Sequence, residues 1–509
     1  YHNWSDKRVP TSADNVFIIN KANAAHVTSV PATPAVCNNL IIESGAVLTI
    51  DPGKALTVSG NTVLNGSECL ILKANATGYA SFIDNGISGT GTMKAECYLV
   101  PDQYHYISAP ISNATANVFQ NDYLRASDPT TTEGWATNYI VDPATPLQPA
   151  RGYFAWKPSG NSTAEAFSGT PNTGLVSISL NRTATDPWAG WHLVGNPYPS
   201  SMDLENGINW GNFENTAYFF DPVANNYTVY ETWGSYGTHD QYCPPQQGFF
   251  AHIDDASGNG NTTLSFNNTS RVHNSVSFLK QNRELADFLL LTVTGNVNAY
   301  SDKAIVHFDE NVTAGFDKGY DGYKLAGTSE APQLYTLSAN KKLTCNSLPF
   351  DAKNISVPMG FSCGVSGTFT IMADSLGTFA NNSTISLEDK KLNVFTDLKQ
   401  SAQYSFGYTT NENPDRFVLH FYNPNIGTGD LAGASNIQIF TSNNQLIVRL
   451  LDSDFREGLL QVYDMTGRLV YHERIAGENT RISLSLAGGY YLAKVTTAKA
   501  LVTEKILIK

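Results

Sequence analysis

Short apolar clusters alternate with turn-forming pairs in the first part of the chain. The clusters recur every seven to nine residues and are separated by Ser-Gly, Pro-Gly and Asn-Gly pairs, a rhythm typical of short strands joined by tight turns. We therefore predict that residues 1–98 form the rungs of a β-solenoid or a tight meander. A solenoid rung buries its apolar face only against stacked neighbours and a cap, and the following domain is the candidate for that cap. The apolar clusters are Leu40–Ile42, Val47–Ile50, Leu56–Val58, Val63–Leu64 and Leu70–Leu72.

Two related halves follow between residues 99 and 275. Each half opens with an aromatic-rich strand that ends at a proline, Pro110 in the first half and Pro197 in the second. Each half later contains a glycine followed by two aromatic residues, at 152–154 and at 248–250. This repetition predicts an internally duplicated β-sandwich region.

Apolar and polar residues alternate through the next part of the chain, residues 276–425. Segments such as Phe288–Gly295 show the period of two that is typical of a sandwich with one wet and one dry face per sheet. A linker rich in Gly and Asn follows at 426–434 and predicts a domain boundary. Residues 435–509 hold six or seven short strands in about 75 residues, which predicts a small Ig-like sandwich. The whole chain is therefore predicted to be all-β and multidomain.

Composition and charge narrow the class of partner. The chain carries 32 basic and 45 acidic residues, for a net charge of −13. Because phosphate binding needs a basic face, this balance argues against nucleic acid as a partner. No run of about 20 apolar residues exists to span a bilayer as a helix. The sequence opens at Tyr1 without a signal-peptide pattern, and we expect that a signal directs export and is removed before this point.

The six cysteines are widely spaced, with no CxxC pair and no zinc-binding pattern. They are predicted either as buried small hydrophobic residues or as partners in one to three disulfides formed in an oxidising compartment. Cys345 and Cys363 are the best candidate pair, and spacing alone leaves the connectivity open.

The Asp-x-Gly-x-Asp segment at Asp317, Gly319 and Asp321 is the sharpest candidate for a ligand site. Alternating carboxylates around a glycine can wrap a hard cation, so Asp317 and Asp321 predict a possible calcium site, to which Asp302 and Glu310 can contribute. The favoured alternative is a turn that these side chains lock by accepting backbone hydrogen bonds. No other cofactor is predicted.

Catalytic patterns are missing from the sequence. There is no G-x-S-x-G elbow and no HExxH, and the ten histidines are scattered singly. We therefore expect no enzymatic activity. Six tryptophans lie in the duplicated region, where large rings are more often core than binding platform; exposed rings in a groove would instead favour glycan binding.

Three motifs in the last domain resemble the C-terminal sorting domain of type IX secretion in Bacteroidota. The first is Val462–Arg468 (VYDMTGR), the second is Gly489–Val495 (GYYLAKV) and the third is Glu504–Lys509 (EKILIK). They occur in the family's order and at the C-terminal end of the sequence.

The resemblance implies a route and a set of partners. Family members pass through the periplasm after signal-peptide cleavage and cross the outer membrane through the type IX translocon. An outer-membrane shuttle barrel recognises the sorting domain, and a sortase-like C-terminal protease usually removes it. A closing strand rich in Ile and Lys can also pair with a partner's edge. The residues that this resemblance assigns to recognition are Gly467, Arg468, Gly489, Tyr490, Lys505, Ile506, Leu507, Ile508 and Lys509.

The body of the chain resembles large adhesin-like surface proteins of Bacteroidota. Gly190–Ser200 (GWHLVGNPYPS) is similar to a recurrent signature of these proteins, with His192 in place of the usual Asn. Phe316–Gly327 and Thr384–Lys391 are similar to two others. These resemblances bring no known reaction.

Three functions are consistent with these features. The first is a non-catalytic protein at the cell surface or outside the cell, with an adhesive or surface-structural role and with surface glycans or other surface proteins as possible partners. The second is a glycan-binding accessory protein or exoenzyme. The third is a subunit of an extracellular polymer, assembled through unpaired strand edges.

Overall fold

The computed structural model describes residues 8–20, 25–27, 34–160, 164–273, 286–349, 354–380, 383–422, 437–442, 445–450, 457–497 and 501–508. Within these ranges the chain is built from strands and four short 3-10 helices, and no α-helix occurs. The predicted all-β class is confirmed. The chain divides into two compact units, residues 1–424 and 425–509. The 3-10 helices are Ala116–Phe119, Asp255–Ser257, Asn268–Ser270 and Leu376–Thr378.

The first region is a parallel β-solenoid, the first of the two predicted alternatives. Strands stack in three columns with the orders β1-β4-β7-β12, β2-β5-β8-β13 and β3-β6-β11. Leu40 pairs with Thr62 and Leu48 with Leu70, each partner 22 residues further along the chain. One rung therefore takes about two dozen residues, and each rung hydrogen-bonds to the next. The strands are β1 (Val16–Ile18), β2 (Ala25–Val27), β3 (Ala35–Cys37), β4 (Leu40–Ile42), β5 (Leu48–Ile50), β6 (Ala55–Val58), β7 (Thr62–Leu64), β8 (Leu70–Leu72), β9 (Ala74–Asn75), β10 (Gly78–Tyr79), β11 (Ser81–Ile83), β12 (Ile87–Ser88) and β13 (Met93–Tyr98).

An asparagine ladder holds one corner of the solenoid. The Asn39 side-chain amide donates to Oδ1 of Asn15 at 2.8 Å, and the backbone N–H of Asn61 donates to Oδ1 of Asn39 at 2.8 Å. The Asn61 amide continues the ladder to Oγ of Ser88, also at 2.8 Å. Stacked amides thus satisfy polar groups where the chain turns between columns.

Fifteen strands occur among the described residues of the duplicated region. They are β14 (Tyr104–Ser108), β15 (Tyr123–Ala126), β16 (Gly152–Trp156), β17 (Ala164–Gly169), β18 (Val176–Arg182), β19 (Trp191–Gly195), β20 (Ser201–Asp203), β21 (Ile208–Asn209), β22 (Thr216–Asp221), β23 (Asn226–Glu231), β24 (Tyr236–Gly237), β25 (Tyr242–Cys243), β26 (Gly248–His252), β27 (Gly260–Phe266) and β28 (Arg271–Val272).

The duplicated region caps the solenoid. Strand β17 pairs antiparallel with β13, the last strand of one solenoid column. A single core of buried residues runs from the solenoid into the first half, from Val16 to Phe167. Further on, Arg271 donates to the buried carboxylate of Asp84 at 2.8 Å. The cap that the solenoid requires is therefore supplied by the following region.

The two halves have the same strand order, and where they cross, each donates an equivalent backbone hydrogen bond to the other. The first half has the sheet order β14-β16-β15, and the second has the corresponding order β19-β26-β22. The N–H of Ser108 donates to the carbonyl of Gln246 at 2.8 Å, while the N–H of Gly195 donates to the carbonyl of Ala150 at 3.0 Å. Ala150 and Gln246 share a φ of +62°. These equivalent contacts give the duplicated region a local pseudo-two-fold symmetry.

The described residues of the third region form one sheet of eleven strands that packs around a single core. Along the sheet the order is β37-β36-β39-β34-β32-β33-β30-β29-β35-β38, and β31 pairs with β33. Phe406 near one end of the sheet meets Phe417 near the other, with ring centroids 4.9 Å apart. The strands are β29 (Phe288–Gly295), β30 (Ser301–Asp309), β31 (Gly322–Tyr323), β32 (Gln333–Ser338), β33 (Lys341–Pro349), β34 (Asn354–Ser362), β35 (Gly367–Asp374), β36 (Thr384–Asp389), β37 (Val394–Asp397), β38 (Gln403–Tyr408) and β39 (Phe417–Tyr422).

The C-terminal unit is a sandwich of two antiparallel sheets. Their orders are β40-β41-β44 and β43-β42-β45-β46, and both sheets contribute to one core that includes Val448, Val462 and Ala493. The predicted linker at 426–434 lies outside the described residues. The strands are β40 (Ile437–Ser442), β41 (Gln445–Leu450), β42 (Glu457–Asp464), β43 (Leu469–Ala476), β44 (Asn479–Ser483), β45 (Gly489–Thr497) and β46 (Leu501–Ile508).

Candidate functional site

The first sorting motif forms the turn between β42 and β43. Oδ1 of Asp464 accepts hydrogen bonds from the N–H groups of Thr466 and Arg468, at 3.0 and 3.1 Å. Gly467 adopts a φ of +84°, which glycine takes without strain. The hydrogen bond from the Thr466 hydroxyl is the main cause that lowers the pKa of Asp464 to about 2. Asp464, Thr466 and Gly467 therefore shape the turn.

Arg468 lies at the surface of that turn. Its Nε donates to Oδ2 of Asp464 at 3.0 Å, yet 77% of the side chain stays exposed. An exposed ion pair of this kind contributes little to stability. The guanidinium is thus presented to solvent and is available to a partner.

The second and third sorting motifs are adjacent strands. Tyr490 on β45 pairs with Leu507 on β46, and Gly489 pairs with Ile508. Ile506 and Ile508 point into the sandwich core, whereas Lys505 and Leu507 point outward. The predicted recognition residues of the closing strand therefore divide into two that hold the fold and two that face solvent. Lys509 lies outside the described residues.

An exposed apolar patch covers the outer face of these two strands. Tyr490, Leu492 and Leu507 form this outer patch, with Tyr490 54% and Leu507 40% exposed. The ammonium of Lys505 lies 4.3 Å from the centroid of the Tyr490 ring, a cation–π contact. β46 is also the terminal strand of its sheet. The patch and the terminal strand together form a surface that fits a protein partner.

The candidate calcium residues bind backbone amides. Oδ2 of Asp317 accepts from the N–H of Thr313 at 2.6 Å. The two oxygens of Asp321 accept from the N–H groups of Asp317 and Ser347, at 2.7 and 2.6 Å. Burial raises the pKa of Asp321 to about 7, which disfavours the charged form that a hard cation needs.

The neighbouring acid also fits a structural role. Oδ1 of Asp302 accepts from the Lys324 ammonium at 2.7 Å. Among the residues that the structure describes, no group of three His, Cys, Asp or Glu side chains is arranged to hold a metal ion. The backbone hydrogen bonds of Asp317 and Asp321 are those of the locked turn, the favoured alternative.

The predicted Cys345–Cys363 disulfide is not formed, because the two side chains belong to different cores. Cys345 lies with Tyr218 and Tyr236 in the cluster between the second and third regions. Cys363 lies in the core enclosed by the eleven-stranded sheet. All six cysteines are free and buried, and burial raises the pKa of both thiols. The cysteines are the small hydrophobic residues of the other alternative.

Comparison with known proteins matches most of the chain to two protein families. Residues 1–421 match a family described as a domain of unknown function, DUF8693. The chain belongs to this family. Residues 441–509 match the secretion system C-terminal sorting domain, and the predicted sorting domain is confirmed. The protein is therefore cargo of the Bacteroidota type IX secretion system, exported to the cell surface or beyond it.

Two Porphyromonas gingivalis proteins are similar to this DUF8693 protein. The minor fimbrium subunit Mfa5 is 24% identical over 511 positions that cover 87% of this chain, and the chain spans 40% of Mfa5. The solved structure of PorZ, an essential surface component of the type IX secretion system, covers 58% of this chain and 43% of PorZ. That similarity has 10% identity and a TM-score of 0.14, and it carries no argument about fold or function.

The signature at Gly190–Ser200 of the DUF8693 region is structural. The fully buried amide of Asn196 donates to the carbonyls of Ser200 and Pro244, at 2.8 and 2.9 Å, and its Oδ1 accepts from the N–H of Tyr198 at 2.9 Å. The hydroxyl of Tyr198 donates to the carbonyl of Gly174 at 2.7 Å. These hydrogen bonds therefore fix the loop that follows β19.

The tryptophans of the DUF8693 region are divided between core and surface. Trp210 is buried, Trp233 is exposed, and Trp135, Trp156, Trp188 and Trp191 are half-buried. Trp156 belongs to an aromatic strip with Tyr104, Tyr123 and Tyr139, whose three tyrosines are exposed. The Tyr104 and Trp156 rings lie 4.6 Å apart, and the Tyr123 and Tyr139 rings lie 5.3 Å apart. The sequence did not predict this strip, because the fold brings its rings together from three strands and a loop.

No helix among the described residues is long and apolar enough to cross a membrane.

Proposed function

We propose that this protein is a non-catalytic component of a surface fimbria, with an adhesive or structural role, delivered by the type IX system. The observation that carries the proposal is the similarity to a minor fimbrium subunit across 87% of the chain. The all-β architecture and the lack of catalytic sequence patterns support it. Within this proposal, the outer patch and Arg468 bind the shuttle barrel, and the sortase-like protease removes residues 437–508 with the rest of the sorting unit.

Location on the fibre tests the fimbrial role. The protein carries an epitope tag in its native host, and sheared fimbriae are examined by immunogold electron microscopy and by blotting. We expect label on the fibres and co-purification with the sheared fraction. Label confined to the cell body, with none in the sheared fraction, would contradict the proposal. A strain whose copy ends before residue 441 serves as the export control.

Intact mass of the surface form tests the processing step. We expect a chain that ends near residues 425–435 and carries an added mass from its anchor. A surface form that still ends at Lys509 would contradict removal by a sortase-like protease. It would direct the search to a bound outer-membrane partner or to a polymer.

Glycan binding is the second candidate function, and the aromatic strip favours it. Rings with an apolar face and a polar edge suit a partner that is part apolar and part hydroxylated. We expect Tyr123→Ala with Tyr139→Ala to weaken binding to a surface polysaccharide array about tenfold, while Leu175→Ala, another exposed site, leaves binding unchanged. Equal binding by all variants would contradict this candidate.

A further inference from the structure

A lysine and two carboxylates meet inside the core that joins the solenoid to its cap. The Lys157 ammonium lies 3.3 and 3.4 Å from the two oxygens of Asp122. It also donates to Oε1 of Glu165 in a very short contact. The side chains of Lys157 and Asp122 are both fully buried, and that of Glu165 is 21% exposed.

Three different strands position these groups. Lys157 follows β16, and its carbonyl accepts from the N–H of Asp102 at 2.8 Å. Asp122 precedes β15, and its N–H donates to the carbonyl of Phe119 at 2.9 Å. Glu165 lies on β17, two residues before Phe167, whose ring lies 5.6 Å from that of Phe119. The approach of the ammonium to the carboxyl is therefore built into the sheet framework.

The charge of this cluster is unbalanced for a buried site. One ammonium and two ionised carboxylates carry a net negative charge among these three side chains, and two of the three, Lys157 and Asp122, have no exposure to water. Burial raises the pKa of Glu165, and the charge of Asp122 acts in the same direction. The Glu165 carboxylate is therefore suited to accept the proton that the Lys157 ammonium must lose before its nitrogen can act as a nucleophile.

We propose that Lys157 and Asp122 condense to an intramolecular isopeptide bond, with Glu165 as the proton carrier. Glu165 accepts a proton from the ammonium, and the neutral Nζ attacks Cγ of Asp122. A Cγ–Nζ bond forms, and Glu165 returns its proton to one oxygen of Asp122. Glu165 then takes a second proton from Nζ and passes it to the same oxygen, the Cγ–O bond breaks, and that oxygen leaves as water. Ammonium and carboxylate thus become an amide and one water, with no oxidant or other reactant.

The surroundings favour this reaction. Holding an amine against a carboxyl in a fixed geometry replaces a bimolecular encounter with an intramolecular one. Condensation also removes two buried charges, which cost free energy in a medium of low dielectric constant. Glu165 lines an open cleft of about 310 Å³ together with Asn113 and Ser168, through which water can leave.

A second buried lysine provides an internal control. The Lys324 ammonium lies 2.7 Å from Oδ1 of Asp302, and both side chains are almost fully buried. Its next neighbour is the amide oxygen of Asn226 at 3.4 Å, an atom that does not take up a proton as a carboxylate does. Lys324 and Asp302 therefore stay an ion pair in this proposal.

Mass spectrometry of the purified full chain tests the proposal. We expect the folded protein to be lighter than its sequence by one water. Tryptic digestion is expected to give a branched peptide that joins residues 95–125 to residues 152–182. The Lys157→Arg and Glu165→Gln variants are expected to keep the full mass, and Lys324→Arg to lose one water like the parent.

Circular dichroism of each variant shows whether it is folded, so that a missing bond is not mistaken for a folding defect. The Glu165→Gln variant is expected to fold, because glutamine has the same side-chain shape as glutamate. A folded parent protein with its full sequence mass would overturn the proposal. Loss of water without the branched peptide, or a Lys157→Arg variant that still loses water, would overturn it as well. The result is separate from the fimbrial role, since the bond is read from the purified chain alone.

Discussion

At the residue scale, the pKa of one buried acid between the second and third regions, Glu231, is strongly raised. Glu231 is fully buried, and its Oε2 accepts from the Thr216 hydroxyl at 2.6 Å. Its Oε1 has no hydrogen-bond partner among the described residues. Burial raises the pKa of Glu231 well above 4.5, and the charges of Asp321 and Glu214 act in the same direction. Burial therefore favours the neutral form of Glu231 in the folded protein.

This protonation makes stability depend on pH. The folded state holds the Glu231 proton more tightly than the unfolded state, in which the carboxyl titrates near 4.5. The free energy of unfolding therefore falls as pH rises above that value toward the folded pKa. We expect Glu231→Gln, which cannot ionise, to flatten this decline in urea unfolding measured from about pH 4.5 to 8.

Glu412→Gln is the control for this prediction. The hydrogen bond from Lys391 lowers the pKa of Glu412, so its contribution to stability is lost as pH falls, not as it rises. An equally steep decline toward high pH in the Glu231→Gln protein would contradict the assignment.

Gly152 lies where the two halves of the duplicated region cross, and the close approach of the backbones there leaves no room for a side chain. A Cβ atom on Gly152 would lie 2.6 Å from the Val194 carbonyl oxygen and 2.6 Å from Cγ of Leu193. We expect Gly152→Ala to lower the free energy of unfolding by about 1–3 kcal/mol, the usual cost of overpacking. Gly407→Ala, where a Cβ meets nothing within 4 Å, is expected to change it by less than about 0.5 kcal/mol. Equal effects in chemical denaturation would argue against a tight crossing.

At the element scale, the closing strand β46 combines a structural face with a solvent face. We expect Tyr490→Ser combined with Leu507→Ser to leave the sorting sandwich folded but to block export, because we propose the outer patch as the surface that the secretion machinery recognises. Ile506→Asn is expected to block export by unfolding the sandwich, since Ile506 lies in its core.

Surface protease accessibility measures export, and the melting of a purified sorting fragment measures folding. Leu175→Ser, an exposed apolar site in the body of the protein, is the matched control and is expected to be exported normally. A folded Tyr490→Ser, Leu507→Ser protein that still reaches the surface would show that recognition lies elsewhere.

At the scale of the whole molecule, the solenoid depends on the domain that follows it. Strand β13 gains its second neighbour, β17, only from the duplicated region, and one core crosses the junction. We expect a fragment ending at residue 98 to aggregate, because its last rung exposes an apolar strand edge. A fragment ending at residue 424, which keeps the whole first compact unit and the core between the second and third regions, is expected to stay soluble and to melt cooperatively.

Gel filtration and thermal melting distinguish these outcomes. A soluble, cooperative fragment of residues 8–98 would show that the solenoid needs no cap. A separate fragment of residues 437–508 is expected to fold by itself, since it forms the core of the second compact unit.

Local features of this protein were predictable from its sequence. The strand rhythm of residues 40–72, the two related halves and the sorting motifs at 462–468 and 489–495 each depend on neighbouring residues. Alternation, turn pairs and glycine positions express backbone and side-chain preferences that act over a few positions. The all-β class followed from these preferences, whereas the sorting domain was predicted from the resemblance of its motifs to a known family.

Tertiary structure alone decided which distant residues meet. Cys345 lies on β33 and Cys363 directly follows β34, yet the two side chains belong to different cores, so the predicted disulfide was wrong. Lys157, Asp122 and Glu165 follow no local motif and come together only because β15, β16 and β17 share one core. Long-range packing selects such contacts, since each strand's own pattern sets which face is buried but not which partner it is buried against.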